Sequence, residues 1–257
     1  ADFWWDHHLV PFASESHRRL YHQCVPYIAW DPKASSCARL IAGLLRIHSS
    51  FHPKELGTLM SWADRIDSAS YSSPRQAVMC IEPALRINLS LMIRKTDKYL
   101  EWLVRQLMER SMVQVSRLPE VTSRYWIARE KQKNGLSVFR SSSRFEDDGV
   151  VYEIYRTNGV VLNRYFPYYL YPKAKYSVGA IYGKGGLKVT AMVNPWIGGK
   201  EVNGVNIGRI FSKYGGGGHK RVGSVLLHGA KRHLVGGIIG RVKAEVASKC
   251  LGSPGGR

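Results

Sequence analysis

Three short stretches carry residue types that could do chemistry. Asp6-His7-His8 follows directly on Phe3-Trp4-Trp5. An apolar run ending in an acid and two imidazoles is the pattern of a strand whose C-terminal end opens into a site, because loops at strand ends carry function in α/β sheets. In an extended chain His7 and His8 point to opposite faces, so the spacing predicts that they do not share one metal. One is placed to ligate a metal and the other to meet a substrate, with Asp6 orienting an imidazole from behind. Adjacent histidines are also common on plain surfaces. The second stretch, Asp64-Arg65-Ile66-Asp67-Ser68-Ala69-Ser70-Tyr71, sets two acids beside small residues. Such acids supply hard oxygen ligands suited to Mn²⁺ or Mg²⁺, and they equally suit a helix C-terminus with solvated carboxylates. In the third, Gly215-Gly216-Gly217-Gly218 runs into His219-Lys220-Arg221. A glycine backbone can take positive φ and approach an anion closely, exposing N–H groups as a nest, while the cationic triplet supplies charge-assisted donors. The stretch reads as a phosphate cradle, with a plain turn as the alternative. It is not a P-loop, since the order is helix, loop, strand and no Gly-x-x-x-x-Gly-Lys-Ser/Thr is present.

The elements that must position these stretches divide by type. Ser35 or Ser36 can cap a helix running to residue 46. Leu100, Leu103, Val104, Leu107 and Met108 follow helical spacing behind a cap at Asp97, which predicts an amphipathic helix long enough to link two modules. Residues 131–148, with Gly135, three consecutive serines and mixed charge, predict a surface connection. Beyond them the pattern predicts strands over 150–156, 160–171, 176–182, 187–193 and 222–227, with Lys184-Gly185-Gly186 a hairpin turn. A short helix is expected over 205–213, a loop over 215–218 and a closing helix over 231–246. In the aromatic and basic run 164–173 most rings are expected to pack in the core with strand periodicity, and some could stack on unpaired bases.

Charge divides the chain in the same way. The 257 residues carry a formal net charge of +19. Residues 1–100 contribute +3, residues 101–150 contribute +2 and residues 151–257 contribute +14. Of 25 glycines, 21 lie after residue 150, which places a module boundary near 135–150. A module this basic should seek phosphate-rich partners or an anionic surface. The 44% hydrophobic content excludes a wholly disordered chain, and the longest uncharged runs are too short for the roughly 18 apolar residues of a membrane span. No secretory signal is visible. Four irregularly spaced cysteines suit reduced thiols, and hence a cytoplasmic protein, better than a zinc site or disulfide framework.

Taken in order, the acid-His-His after a strand, the later acid with small residues and the glycine loop ending in histidine resemble the DHH phosphoesterase family with its associated C-terminal substrate domain. That family includes RecJ-type exonucleases, oligoribonucleases, cyclic-dinucleotide phosphodiesterases and some pyrophosphatases. Asp31-Pro32-Lys33-Ala34-Ser35-Ser36-Cys37 and Ser73-Pro74-Arg75-Gln76-Ala77-Val78 look like further family segments. The resemblance implies an α/β chain: a partial parallel-sheet catalytic domain over 1–95, a helical linker over 96–148, and a smaller mixed-sheet substrate-binding domain over 149–257. It implies His7 as a metal ligand, Asp67 as the later acidic ligand with Asp64 as fallback, His8 facing the scissile phosphate and Asp6 supporting it. Gly216, Gly217, Gly218, His219, Lys220 and Arg221 would hold the substrate across an interdomain cleft. Two Mn²⁺ (or Mg²⁺) ions about 3.5–4 Å apart would activate a water. The implied substrate is a phosphodiester in a short single-stranded nucleic acid or nucleotide, with no membrane partner and room for a homodimer. The family's Asp-x-Asp motif lies upstream of its acid-His-His, where this sequence has five residues. With His7 and Asp67 as the only protein ligands, weak or no catalysis is expected unless the missing segment is supplied. The rival expectations are a non-catalytic nucleic-acid-binding protein, and an enzyme for cyclic dinucleotides or polyphosphate.

Overall fold

The computed structural model describes residues 3–8, 12, 14–25, 27–48, 56–155, 157–183, 185–197 and 204–250. The protein is a mixed α/β fold, half helical, with one small parallel sheet and one larger mixed sheet.

At the N-terminal end, β1 (Trp4–Asp6), α1 (Glu15–Arg19), β2 (Ile28–Trp30) and α2 (Cys37–His48) form a short βα unit in which β1 and β2 pair in parallel. The Ser36 hydroxyl accepts the Arg39 backbone N–H at 3.0 Å, which satisfies one of the free donors in the first turn of α2. α3 (Leu56–Asp67) packs on α2 and ends at the second acidic stretch.

A helical layer follows: α4 (Pro74–Met79), α5 (Pro83–Ser90), α6 (Asp97–Glu109), α7 (Met112–Ser116) and α8 (Pro119–Ser141). α6 is capped by the Thr96 hydroxyl, which accepts from Tyr99 N–H, and Asp97 occupies the first helical turn instead. Buried Tyr99 and Leu103 of α6 share a cluster with Ile87, Val115 and Val121. α6 is thus part of the helical layer, and the element that connects the two modules is α8. Tyr125 and Ala128 of α8 sit among the helices, whereas Phe139 sits beneath the large sheet. The surface connection expected over 131–148 is therefore helix as far as Ser141, followed by a strand. The buried residues of α8 are Val121, Tyr125, Ala128, Gln132, Gly135 and Phe139, a regular helical stripe in which a polar residue and a glycine take two places. A Cβ at Gly135 would lie 2.2 Å from the Val161 carbonyl oxygen, so the glycine there serves close packing and marks no turn.

The remaining elements are β3 (Ser143–Glu146), β4 (Gly149–Ile154), α9 (Phe166–Leu170), β5 (Tyr176–Gly183), β6 (Gly186–Val193), α10 (Ile207–Ser212), β7 (Gly217–His219), β8 (Val222–Leu227), a 3₁₀ turn (Gly229–Leu234) and α11 (Val235–Cys250). The sheet order is β3-β4-β5-β6-β8-β7, with β4 and β5 parallel and every other neighbour antiparallel. Strand alternation divides its residues between two cores. Val178, Val189 and Val225 face α10 and α11, while Val150, Tyr152 and Met192 face α4, α8 and α9. Three expectations change here. The strand foreseen over 160–171 is a loop leading into α9, because Pro167 opens a helical turn and Tyr165, Phe166 and Tyr168 bury their rings from it. The loop foreseen over 215–218 passes into β7 at Gly217. The closing helix is split into the 3₁₀ turn and α11. Lys184 of the foreseen hairpin turn and Arg156 at the end of a foreseen strand lie outside the described residues. No helix among the described residues is long and apolar enough to cross a membrane.

Candidate active site

β1 ends at Asp6, so His7 and His8 lie beyond the paired strand. His7 and His8 consequently do not diverge: their ring centroids are 4.6 Å apart, and Asp6, His7 and His8 together present ligand atoms within 4.8 Å of one another. This corrects the expectation of opposite faces, which assumed that the strand continued. The Trp30 indole N–H donates to the His8 carbonyl oxygen at 2.9 Å, tying the turn to β2.

Each histidine has its own acid. Asp6 Oδ1 accepts from the His8 backbone N–H at 2.8 Å and from His8 Nδ1 at 2.6 Å. That pairing orients the His8 ring and leaves Nε2 as its working atom. Burial pushes the Asp6 carboxyl up, but the His8 and His7 interactions outweigh it and hold the group below the usual carboxylate range, so it stays ionised. His7 Nε2 lies 3.0 Å from Asp67 Oδ2, while His7 Nδ1 is buried with no hydrogen-bond partner among the described residues.

Asp67 and Asp64 sit one turn apart at the end of α3 but have different surroundings. Asp64 accepts from Ser36 Oγ at 2.6 Å and from Arg39 Nε at 2.9 Å, with a further bond from the same guanidinium. Burial raises its pKa, and the bonds from Arg39, Ser36 and Ser35 overcome this, leaving it lowered. Asp64 thus locks α2 to α3, whereas Asp67, 45% exposed, faces His7. After Asp67 the chain turns through Ala69 at φ 58°, and the Tyr71 carbonyl accepts from Trp196 Nε1 at 2.8 Å. The acidic stretch is therefore tied directly to the segment that follows β6.

The glycine-rich stretch reaches the same place from the far end of the chain. His219 stacks on His8 with centroids 5.2 Å apart and planes 27° apart. Burial pushes the His219 imidazole pKa down, and the neighbouring His8 and His7 push it further, so the ring is held neutral near pH 7. The glycines are less open than a nest would be. The Gly215 and Gly216 N–H groups donate to Ser212 and Phe211 at the end of α10, and Gly217 to His219 pair with β8. A Cβ at Gly216 or Gly218 would meet β8 backbone oxygens at 2.4 and 2.3 Å, and one at Gly208 of α10 would meet the Gly218 oxygen at 2.5 Å. Close packing explains these three glycines. It does not explain Gly217, where a Cβ would meet nothing within 4 Å. Lys220 and Arg221 are exposed in the turn that follows, with Arg221 donating to the Asn194 carbonyl at 3.2 Å.

Gly217 and Gly218 border a cleft of about 590 Å³ between the helical layer and the large sheet. Its cations are Arg164 and Lys188, and no carboxylate among the described residues lines it. Spacing along the sequence does not reveal the supporting residues Ser36, Arg39, Trp196 and Gln132, because each meets its partner across 25 to 125 residues.

Neither a family model nor a curated protein matches this sequence. Solved structures do. A pGpG-specific phosphodiesterase, PggH from Vibrio cholerae, matches with a TM-score of 0.65 at 20% identity, covering 89% of this chain and 78% of that one. An exopolyphosphatase-related protein from Bacteroides fragilis matches with a TM-score of 0.45 at 11% identity, covering 89% of this chain and 62% of that one. The chain shares its fold with the former.

Proposed function

We propose that this protein is a divalent-metal-dependent phosphoesterase of the DHH type, acting on a phosphodiester in a nucleotide or short single-stranded nucleic acid. The observation that carries the reading is the meeting of His7, His8 and Asp67 with His219, whose chain neighbours Gly217 and Gly218 border the cleft. The fold shared with a phosphodiesterase supports it, and that neighbour's dinucleotide substrate favours a ligand of similar size.

The residues present fit a metal. His7 Nε2 and Asp67 Oδ2, 3.0 Å apart, are a nitrogen and a hard oxygen at the separation that two adjacent ligands take around one ion at roughly 2.1 Å each. His7 and Asp67 would hold Mn²⁺ or Mg²⁺, and the bound ion would supply an acidified water and stabilise charge on the phosphate. With further ligands the site would hold two ions; with these alone it is weak. His8, fixed by ionised Asp6, presents Nε2 toward the phosphate. Neutral His219 donates or accepts from the opposite side without adding positive charge. Lys220 and Arg221 attract the polyanion, and phosphate contacts of this kind position a strand without reading its sequence.

The test is turnover of pGpG, cyclic dinucleotides, polyphosphate and short oligonucleotides with Mn²⁺, alongside metal titration. Release of nucleoside monophosphates that is lost in His7→Ala, together with weaker Mn²⁺ binding by that variant, is the expected result. Oligonucleotide binding without turnover of any substrate would replace this reading by that of a non-catalytic binding protein.

A further inference from the structure

α8 buries a polar side chain whose hydrogen-bonding capacity the fold leaves half used. Gln132 is 1% exposed, its Nε2 donates to the Val78 carbonyl, and its Oε1 has no partner among the described residues. A buried amide oxygen left unpaired is costly, and such groups are rare enough in folded proteins to need a reason. An apolar residue would continue the α8 stripe without that cost.

Gln132 lines the same cleft that Gly217 and Gly218 border. Tyr71, Phe139, Tyr152, Ile154 and Tyr165 line it too, so much of its wall is apolar and aromatic. The cations Arg164 and Lys188 also line the cleft, Arg164 over the Tyr165 ring, and Gly217 and Gly218 of β7 border it. A ligand complementary to these groups carries an anion for the cations and a flat, apolar body with an N–H to give. A nucleoside phosphate has that form. Pyrophosphate and polyphosphate do not, having neither an apolar body nor a donor.

We propose that the cleft is a nucleobase pocket in which Gln132 Oε1 accepts a hydrogen bond from a ring N–H or exocyclic amine of the base. The phosphate end rests on the phosphoesterase reading; the base end rests on Gln132. Gln132 also borders a smaller pocket of about 310 Å³ lined by Trp126, which is 60% exposed. Trp126 lines that pocket and not the cleft, which makes it the control position.

The experiment is calorimetric binding of three ligands to the full chain without metal: adenosine or guanosine monophosphate, whichever binds tighter; purine riboside 5′-phosphate, which keeps the ring but has neither amine nor ring N–H; and ribose 5-phosphate. The amine-bearing nucleotide should bind about tenfold tighter than purine riboside phosphate, the worth of one hydrogen bond to an otherwise unpaired buried acceptor. Ribose 5-phosphate should bind more weakly than both. Gln132→Met should abolish the discrimination between the two purines, and Trp126→Ala should preserve it. Equal affinity of the wild-type chain for the two purine nucleotides overturns the proposal, whether or not Gln132→Met folds, as does loss of discrimination in Trp126→Ala. Amine discrimination without phosphodiester turnover in Mn²⁺ would keep the base pocket and sink the catalytic reading. Turnover without discrimination would do the reverse.

Discussion

Replacing single glycines in the stretch 216–218 separates packing from ligand approach. Gly218 has φ 148°, where L side chains are strained, and a Cβ there would lie 2.3 Å from the Val222 backbone oxygen. Strain in such a region costs about 1–3 kcal/mol and a forced shift of well-packed atoms a similar amount, so Gly218→Ala should destabilise by on the order of 2–4 kcal/mol. For a chain of this size that lowers the melting midpoint by roughly 5–15 °C. Gly217 lies outside the left-handed region, and a Cβ there would meet nothing within 4 Å. Gly217→Ala should leave the midpoint unchanged or slightly raised, since the change also restricts the unfolded chain by about 0.4–1 kcal/mol. Its methyl group would project into the space through which a phosphate must come to reach β7. Loss of one charge-assisted hydrogen bond, about 1.5–3 kcal/mol, corresponds to a ten- to hundredfold fall in affinity. Differential scanning fluorimetry gives the first quantity, and anisotropy of a short labelled oligonucleotide gives the second. Binding by Gly217→Ala within twofold of wild type would refute the idea that ligands approach this strand. Destabilisation matching that of Gly218→Ala would refute the packing argument.

Two further outcomes are expected. His219→Ala combined with Lys220→Ala should weaken oligonucleotide binding and flatten the slope of log affinity against log salt by roughly 0.7 for each phosphate no longer neutralised, measured by titration at several salt concentrations; an unchanged slope counts against a phosphate role for these residues. The lowered pKa of Asp64 means that its stabilisation is fully present above the ordinary carboxylate pKa of about 3.9 and is lost as pH falls through the depressed folded value. Asp64→Asn should therefore cost about 1 kcal/mol in urea denaturation at pH 7, a figure discounted for the half-exposed Arg39, and the gap to wild type should close below about pH 4. A gap independent of pH would show that the ion pair contributes nothing.

Local physics made much of the fold legible. β5, β6 and β8 alternate apolar residues with the period of a pleated strand, and α2 and α6 show helical spacing behind hydroxyl caps, so both kinds of element appear within a few residues of where they were expected. The expectation failed where an element's identity depended on what covers it. α8 carries Gln132 and Gly135 in its buried stripe because Val78 and Val161 meet it there, and to a reader of composition those two residues signal polarity and a turn. Residues 160–171 have strand-like aromatic content, yet Pro167 and the burial of Tyr165, Phe166 and Tyr168 beneath the sheet make them loop and helix.

By itself, then, the sequence determined which groups are available: an acid and two histidines after a strand, a later pair of acids, and a glycine-rich cationic stretch in a module of +14. Their types and order are properties of the chain, set by covalent connectivity. Only tertiary structure decided what they face. It turned His7 toward Asp67 and gave Asp64 to Arg39, stacked His219 on His8 across 211 residues, and left Gln132 in the wall of the cleft with one oxygen unpaired among the described residues. Distances of that kind follow from packing two cores against each other, and no local period along the chain records them.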